Sequence, residues 1–320
     1  MSLTSRFASK VGAEPRRIPE SRVRRVPRGR RYAILYPFFM KGHPFLRVWF
    51  FGLVMIATSS SLRAQPTTQS IRDSTARDPN SVQPERPTVA THAGTVRRGW
   101  VELEEGGEWD KAPNGKRTFF APTNLKVGLA SHAQLNVLVN LITDPARGTS
   151  LAVGDVTLGV KYRIVDDAPI VGDFAILPAI KLPSASTSFA GTGTTDFSLL
   201  LVSSHQLGPV AMDLNVGQTW SGGDGTSAPK MASLWTASFG FPIDGPLGAV
   251  AEVFGYPRTT GPVGAKGTAA LLVGPTYLAR EWLALDTGII IPLAGDQAHA
   301  IYVGFVWNLG CLTRARFCHD

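Results

Sequence analysis

Gly154-Asp155-Val156-Thr157-Leu158-Gly159-Val160-Lys161-Tyr162-Arg163 alternates with a period of two. In an extended chain Val156, Leu158, Val160 and Tyr162 share one face, and Asp155, Thr157, Gly159, Lys161 and Arg163 share the other. A helix, at 3.6 residues per turn, would scatter both sets around its axis. The stretch therefore reads as a strand with one apolar and one polar side.

The same pattern recurs along the chain. Met212, Leu214 and Val216 alternate with Asp213, Asn215, Gly217 and Thr219, and Gln134, Asn136 and Asn140 oppose Leu135, Val137, Val139 and Leu141. Near the end, Ile301, Val303, Phe305, Trp307 and Leu309 oppose Tyr302, Gly304 and Asn308. No stretch from Trp100 onward keeps a helical stripe for three turns. Strands are expected over 98–105, 117–128, 133–142, 153–164, 173–183, 194–206, 210–220, 232–242, 247–256, 266–278, 283–292 and 299–309. Most have about ten residues, the length at which a tilted strand crosses a hydrocarbon core.

A secreted sandwich would alternate as well, so other features must decide which face meets water. The connections themselves alternate. Ser131-His132, Leu207-Gly208-Pro209, Asp244-Gly245-Pro246 and Ala279-Arg280-Glu281 are tight, whereas 106–116, 143–152, 184–193, 221–231 and 257–265 are long and rich in Gly, Ser, Thr and Pro. Short turns at one rim and long loops at the other are the habit of outer-membrane barrels. Aromatic residues gather at strand ends, with Trp220, Trp235 and Tyr256 toward one rim and Trp100, Tyr162, Phe174, Tyr277, Trp282 and Trp307 toward the other. Two girdles suit two membrane interfaces. Finally, the polar faces hold too many charges for a dry core. The reading is an all-β, transmembrane antiparallel up-and-down β-barrel of about twelve strands over 98–310.

The N-terminal region fits export. Val48 to Ala57 is an apolar run of ten, too short to span a bilayer and of signal-peptide length, with Lys41 and Arg47 before it and Ala64 behind. Residues 1–64 are read as a leader: 1–39 as a mis-assigned start, 40–64 as a signal peptide cut before Gln65. Twin arginines at Arg24-Arg25 and Arg30-Arg31 lack their usual motif context, and an uncleaved anchor would need a longer run. Residues 65–97 are polar and poor in large apolar side chains, so they are read as a flexible segment. A plug in the pore is the sharper alternative. Residues 311–320 form a tail, in which Cys311 and Cys318 either close a short loop or stay unpaired.

The net charge of +8 invites a nucleic-acid reading, but 13 of the 32 Lys and Arg lie in residues 1–64, against two of the 24 acids. The rest has 19 bases and 22 acids and no basic stripe with interleaved aromatics. Nucleic acid is excluded as a partner. The six histidines form no HxxxH pair and no CxxC occurs, so neither a metal nor another cofactor is expected. Ser203 and His205 share a face, yet no acid or amide is placed to orient the histidine. Gly191-Thr192-Gly193 and Gly222-Gly223-Asp224-Gly225 precede strands, so neither cradles a phosphate at a helix start. No catalytic residue is assigned, and an enzyme is not expected.

The candidate functional residues are polar and inward: Asp155, Lys161, Arg163, Lys181, Asp196, Asp213, Asn215, Glu252 and Asp286. They would line a polar path and set selectivity, or else pair across strands and fill the lumen. The expected surroundings are bacterial outer-membrane lipid and the barrel-assembly machinery, with a small-molecule solute as cargo.

Several stretches also resemble a known family: GDVTLGVKYR (154–163), ILPAIKLPS (176–184), GTGTTDFSLLL (191–201), LGPVAMDLNVG (207–217), AEVFGY (251–256) and VGFVWNLG (303–310). Their order along 98–310 is similar to that in the outer-membrane proteins named for the MetA pathway of phenol degradation. The resemblance implies a Gram-negative channel or transporter for small hydrophobic or aromatic compounds, and carries no site residues with it. The tail beyond Gly310 departs from the pattern of that family. A structural or adhesive barrel with a closed lumen is the alternative, and a lipid-modifying enzyme a distant third.

Overall fold

The computed structural model describes residues 80–143, 151–226 and 228–312. The leader, residues 65–79 and the tail from 313 lie outside these. Thirteen strands follow in order: β1 (Trp100–Lys111), β2 (Arg117–Ala130), β3 (Ala133–Thr143), β4 (Ala152–Val153), β5 (Val156–Ala168), β6 (Gly172–Leu182), β7 (Asp196–Leu207), β8 (Val210–Ser221), β9 (Met231–Asp244), β10 (Leu247–Tyr256), β11 (Thr268–Arg280), β12 (Leu283–Ala294) and β13 (His299–Cys311). All pairs are antiparallel, each strand beside its sequence neighbour, and β1 pairs with both β2 and β13. The two-residue β4 rests only on β3, so twelve strands close the wall. The protein is a closed twelve-stranded antiparallel β-barrel.

The alternation read from residues 154–163 sets the two faces. Val160 and Tyr162 are exposed outside, while Thr157, Lys161 and Arg163 are buried inside. Register carries this around the ring: Lys161 is opposite Gln134, which is opposite Gly128, and Asn215 is opposite Thr236. Outside, Phe197, Val216, Ile289, Ile301, Val303 and Leu309 form part of an exposed apolar band. Trp220 and Trp235 cap it toward the long loops, and Tyr162, Tyr277, Trp282 and Trp307 toward the short turns. Trp100 and Tyr256 depart from the expected girdles, since both are buried on the inner side.

The turns explain the register at the short-turn rim. Gly208-Pro209 joins Leu207 to Val210, which pair directly, and Gly208 has φ +62°, which glycine adopts without a Cβ penalty. Proline as the second turn residue then needs no N–H in the ladder. At the other end β1 runs six residues past the expected boundary at 105, through Gly106-Gly107, before the loop begins. The pair looks like a loop in sequence, but Gly106 serves the lumen, as described below. Cys311, the last residue of β13, is disulfide-bonded.

Candidate functional site

The lumen is not lined by strands alone. Residues 80–98, just before β1, run through its short-turn half with most of their side chains buried. The expected flexible segment at 65–97 is therefore corrected over 80–97, where the chain is held inside the barrel.

What holds it is a set of wall side chains that accept its backbone N–H groups. Such groups need partners once out of water, and this segment has almost no backbone ladder to supply them. Val82 N–H donates to the carbonyl of Glu281 at the rim (2.8 Å). Gln83 donates to both oxygens of Glu102 (3.0 and 3.1 Å), and Glu85 to Glu104 (2.7 Å). Val89 and Ala90 each donate to Glu252 at 2.7 Å. Asn215 accepts from Thr91 (2.7 Å) and returns a bond to its carbonyl (3.0 Å). Ala93 donates to Ser204 (2.8 Å) and Val96 to Gln134 (2.8 Å). The receptors stand on β1, β3, β7, β8 and β10, so the segment is tied around the ring.

Charge reinforces the same docking. Lys126 of β2 bridges Glu102 and Glu104 (3.0 and 2.9 Å) and also donates to the carbonyl of Gln83. Lys161 pairs with Glu85 of the segment and donates to the carbonyl of His92 (3.0 Å). Burial works against the charge on Glu85, but Lys161 and then Lys126 outweigh it and hold its carboxyl well below the usual range. Arg86 forks onto Asp286 of β12 (3.1 and 3.2 Å). Its guanidinium lies where a Cβ on Gly106 or Gly304 would stand, so these two glycines leave its berth.

The nine expected residues fall into four settings. Lys161, Asn215, Glu252 and Asp286 hold the segment. Asp155, Lys181 and Asp196 form a second cluster toward the long loops: Lys181 meets Asp155 at 2.7 Å and Asp196 at 3.2 Å, and Asp155 accepts the N–H groups of Ala185 and Thr192 (3.1 and 3.0 Å). This cluster draws the 183–195 loop inward, where Ala190 packs with Phe120, Ile142 and Ala152. Arg163 pairs with Asp166 at 2.7 Å. Asp213 accepts the Ser204 hydroxyl at 2.5 Å and borders a cavity of about 230 Å³ between the segment and β7–β13.

Two groups escaped the sequence reading. Glu102, Glu104 and Lys126 fall inside the expected strands 98–105 and 117–128 but are not among the nine candidates. The second is an apolar arc on the inner wall: Leu200, Leu234, Phe254, Leu272, Ile290 and Tyr302 are buried there together with Val89 and Ala93 of the segment. Its signal was present, because Ala269 to Val273 and Ile289 to Ile291 are apolar at every position and so on both faces. Tyr302 lies over β11 and β12, where a Cβ on Gly274 or Gly288 would strike its hydroxyl oxygen.

Ser203 and His205 are in contact at 2.9 Å, and the serine also donates to the carbonyl of Val171 (2.7 Å). Among the described residues no three His, Cys, Asp or Glu side chains are grouped to hold a metal ion.

No family model and no curated protein matches the chain. Solved structures do. The COG4313 outer membrane channel from Pseudomonas putida F1 superposes with a TM-score of 0.53 at 13% identity, covering 70% of this chain and 100% of that one. The KdgM porin gives 0.44 at 9% identity, covering 64% and 98%, and the CymD monoaromatic hydrocarbon channel gives 0.41 at 9%, covering 67% and 89%. The first of these likenesses establishes a shared barrel fold.

Proposed function

We propose that the protein is a bacterial outer-membrane channel for small solutes with an apolar body, closed toward the short-turn rim by residues 80–98. The observation that carries the reading is the pair of apolar faces on one wall. The outer band suits lipid, since a closed barrel leaves no unpaired edge in hydrocarbon. The inner arc, from Leu200 to Tyr302, packs with Val89 and Ala93 while the segment is docked and offers an apolar guest a surface once it is released, one that a salt-filled pore would not need. The sequence resemblance to the MetA phenol-degradation family supports hydrophobic or aromatic cargo. Export by a signal peptide at 40–64 and delivery by the barrel-assembly machinery belong to the same proposal. On this reading Lys161, Asn215, Glu252 and Asp286 act by setting the closed state, and Asp213 faces the path.

The bonds between segment and wall favour one second reading, a structural or adhesive barrel whose lumen stays closed. Reconstitution separates the two. Liposome swelling with phenol-sized solutes and bilayer conductance are measured for full-length protein and for a variant lacking residues 80–96. Passage by either form, larger in the shortened one, supports the channel. Neither swelling nor conductance from both forms leaves the closed barrel.

A further inference from the structure

We propose that the cavity beside Asp213 binds a small organic cation, an ammonium group carried on an apolar body of about one ring. The cavity holds about 230 Å³, bounded by inward residues of β7–β13 and by the 81–88 stretch with His92. Pockets for drug-sized ligands run to about 300–1,000 Å³, so this one suits a smaller guest.

Its charge is uneven. Arg86 and Asp286 neutralise each other at one side of the cavity. Asp213, from β8, accepts one hydrogen bond from the neutral Ser204 hydroxyl and makes no ion pair among the described residues. A carboxylate offers about four lone-pair sites, so Asp213 has accepting capacity left, and a wall of low dielectric strengthens its pull on a cation. Ser238 and Thr276 add hydroxyl oxygens to the same lining, while Val250, Ala284 and Val306 supply an apolar side from β10, β12 and β13. An ammonium has donors and no acceptor, matching the first side, and a ring matches the second. An anion would meet the Asp213 carboxylate on that side. The inference goes beyond the channel reading, because binding is measured without transport.

The test is calorimetric titration of the full-length protein in detergent with benzylamine, benzyl alcohol and benzoate, which share a ring and differ in the head group. Benzylamine, protonated at neutral pH, is expected to bind about tenfold or more tighter than the other two. Asp213→Asn should abolish that preference and leave benzyl alcohol nearly unchanged, and Asp213→Glu should keep it. Asp224→Asn, an exposed residue in the loop after β8, should change nothing. Equal affinity for amine and alcohol, absence of amine binding, or an Asp213→Asn variant that still prefers the amine overturns the proposal. If Asp213→Asn fails to fold, loss of the preference in a folded Asp213→Glu variant overturns it as well. A protein that binds benzylamine but passes no solute would refute the channel and leave this site standing.

Discussion

Glu252→Gln isolates the docking of the segment from the stability of the barrel. Glu252 is buried on β10 and receives two adjacent backbone N–H groups, Val89 and Ala90, at 2.7 Å each. Glutamine keeps one oxygen, loses the charge, and turns an amide NH2 toward a group that can only donate. A hydrogen bond to a charged partner is worth about 1.5–3 kcal/mol net, and an orphaned buried donor costs about 1–3 kcal/mol. Losing one bond and weakening the other should therefore cost docking about 3 kcal/mol, on the order of a hundredfold in the ratio of docked to released segment. The side chain lies inside the wall and takes no part in the ladders of β10 with β9 and β11, so the barrel should survive. A nonspecific protease applied to the folded protein, with cuts in 83–96 mapped by mass spectrometry, reads the released fraction when reclosing is fast. Heat-modifiable migration on a gel reports the barrel. Cutting within twofold of the unchanged protein would refute the docking account, and loss of the barrel itself would show that Glu252 serves the wall.

Leu214→Arg places a charge on the outer face of β8 and should destabilise the barrel by about 2–4 kcal/mol if it sits near the bilayer midplane, as measured by urea titration in lipid; no loss would mean that this face does not meet hydrocarbon. Gly304→Ala should displace the Arg86 guanidinium and raise proteolysis of the segment, whereas Gly274→Ala strikes the carbonyl of Thr287 and should lower the stability of the wall; identical profiles for the two would contradict the described packing. The Glu85 carboxyl lies below its ordinary value of 4.5, so its ionised form stabilises docking fully above that value and the contribution is lost as pH falls beneath it. Release of the segment should accordingly grow with acid below about pH 4.5, and Glu85→Gln should flatten that dependence. In a variant lacking residues 80–96, Glu252 and Asp286 lose their segment partners and face the lumen beside Asp213, so reversal potentials should show cation preference, reduced by reversing Asp213 and Glu252 to Lys; anion preference from the start would count against this wall chemistry.

The fold was legible because two independent signals agreed. Period-two alternation located each of the twelve long strands, and the alternation of tight and long connections distinguished a barrel from a sandwich. Gly208-Pro209 shows why the boundaries came out well, since that pair allows little but a turn. The boundary of β1 failed for a physical reason. Gly106 and Gly107 look like loop residues, yet Gly106 is bare because Arg86, twenty residues earlier in the chain, lies across it. No local pattern carries that information. The inner apolar arc was legible in part, as strands without a polar face, but whether such a strand meets a second apolar surface inside depends on what fills the lumen.

The segment was misread for a deeper reason. Compositional arguments ask whether a stretch owns enough apolar area to offset its ordering entropy, and residues 80–97 do not. Their order comes instead from the wall, which supplies carboxylate, amide and hydroxyl acceptors at the spacing of the segment's backbone donors. Pro84 and Pro87, which have no N–H to place, fall between the donors at 83, 85 and 89. The inward Glu, Asn, Gln and Ser that looked in sequence like a wet pore lining are thus mostly committed to a peptide, and the wall's selectivity chemistry is masked while the segment is docked. Asp213 stands apart from the four of the nine that hold the segment: its partner is a neutral hydroxyl, and it borders the cavity that docking leaves open. Any solute that meets the closed protein from the short-turn side therefore meets Asp213 before it meets the acids that the segment covers.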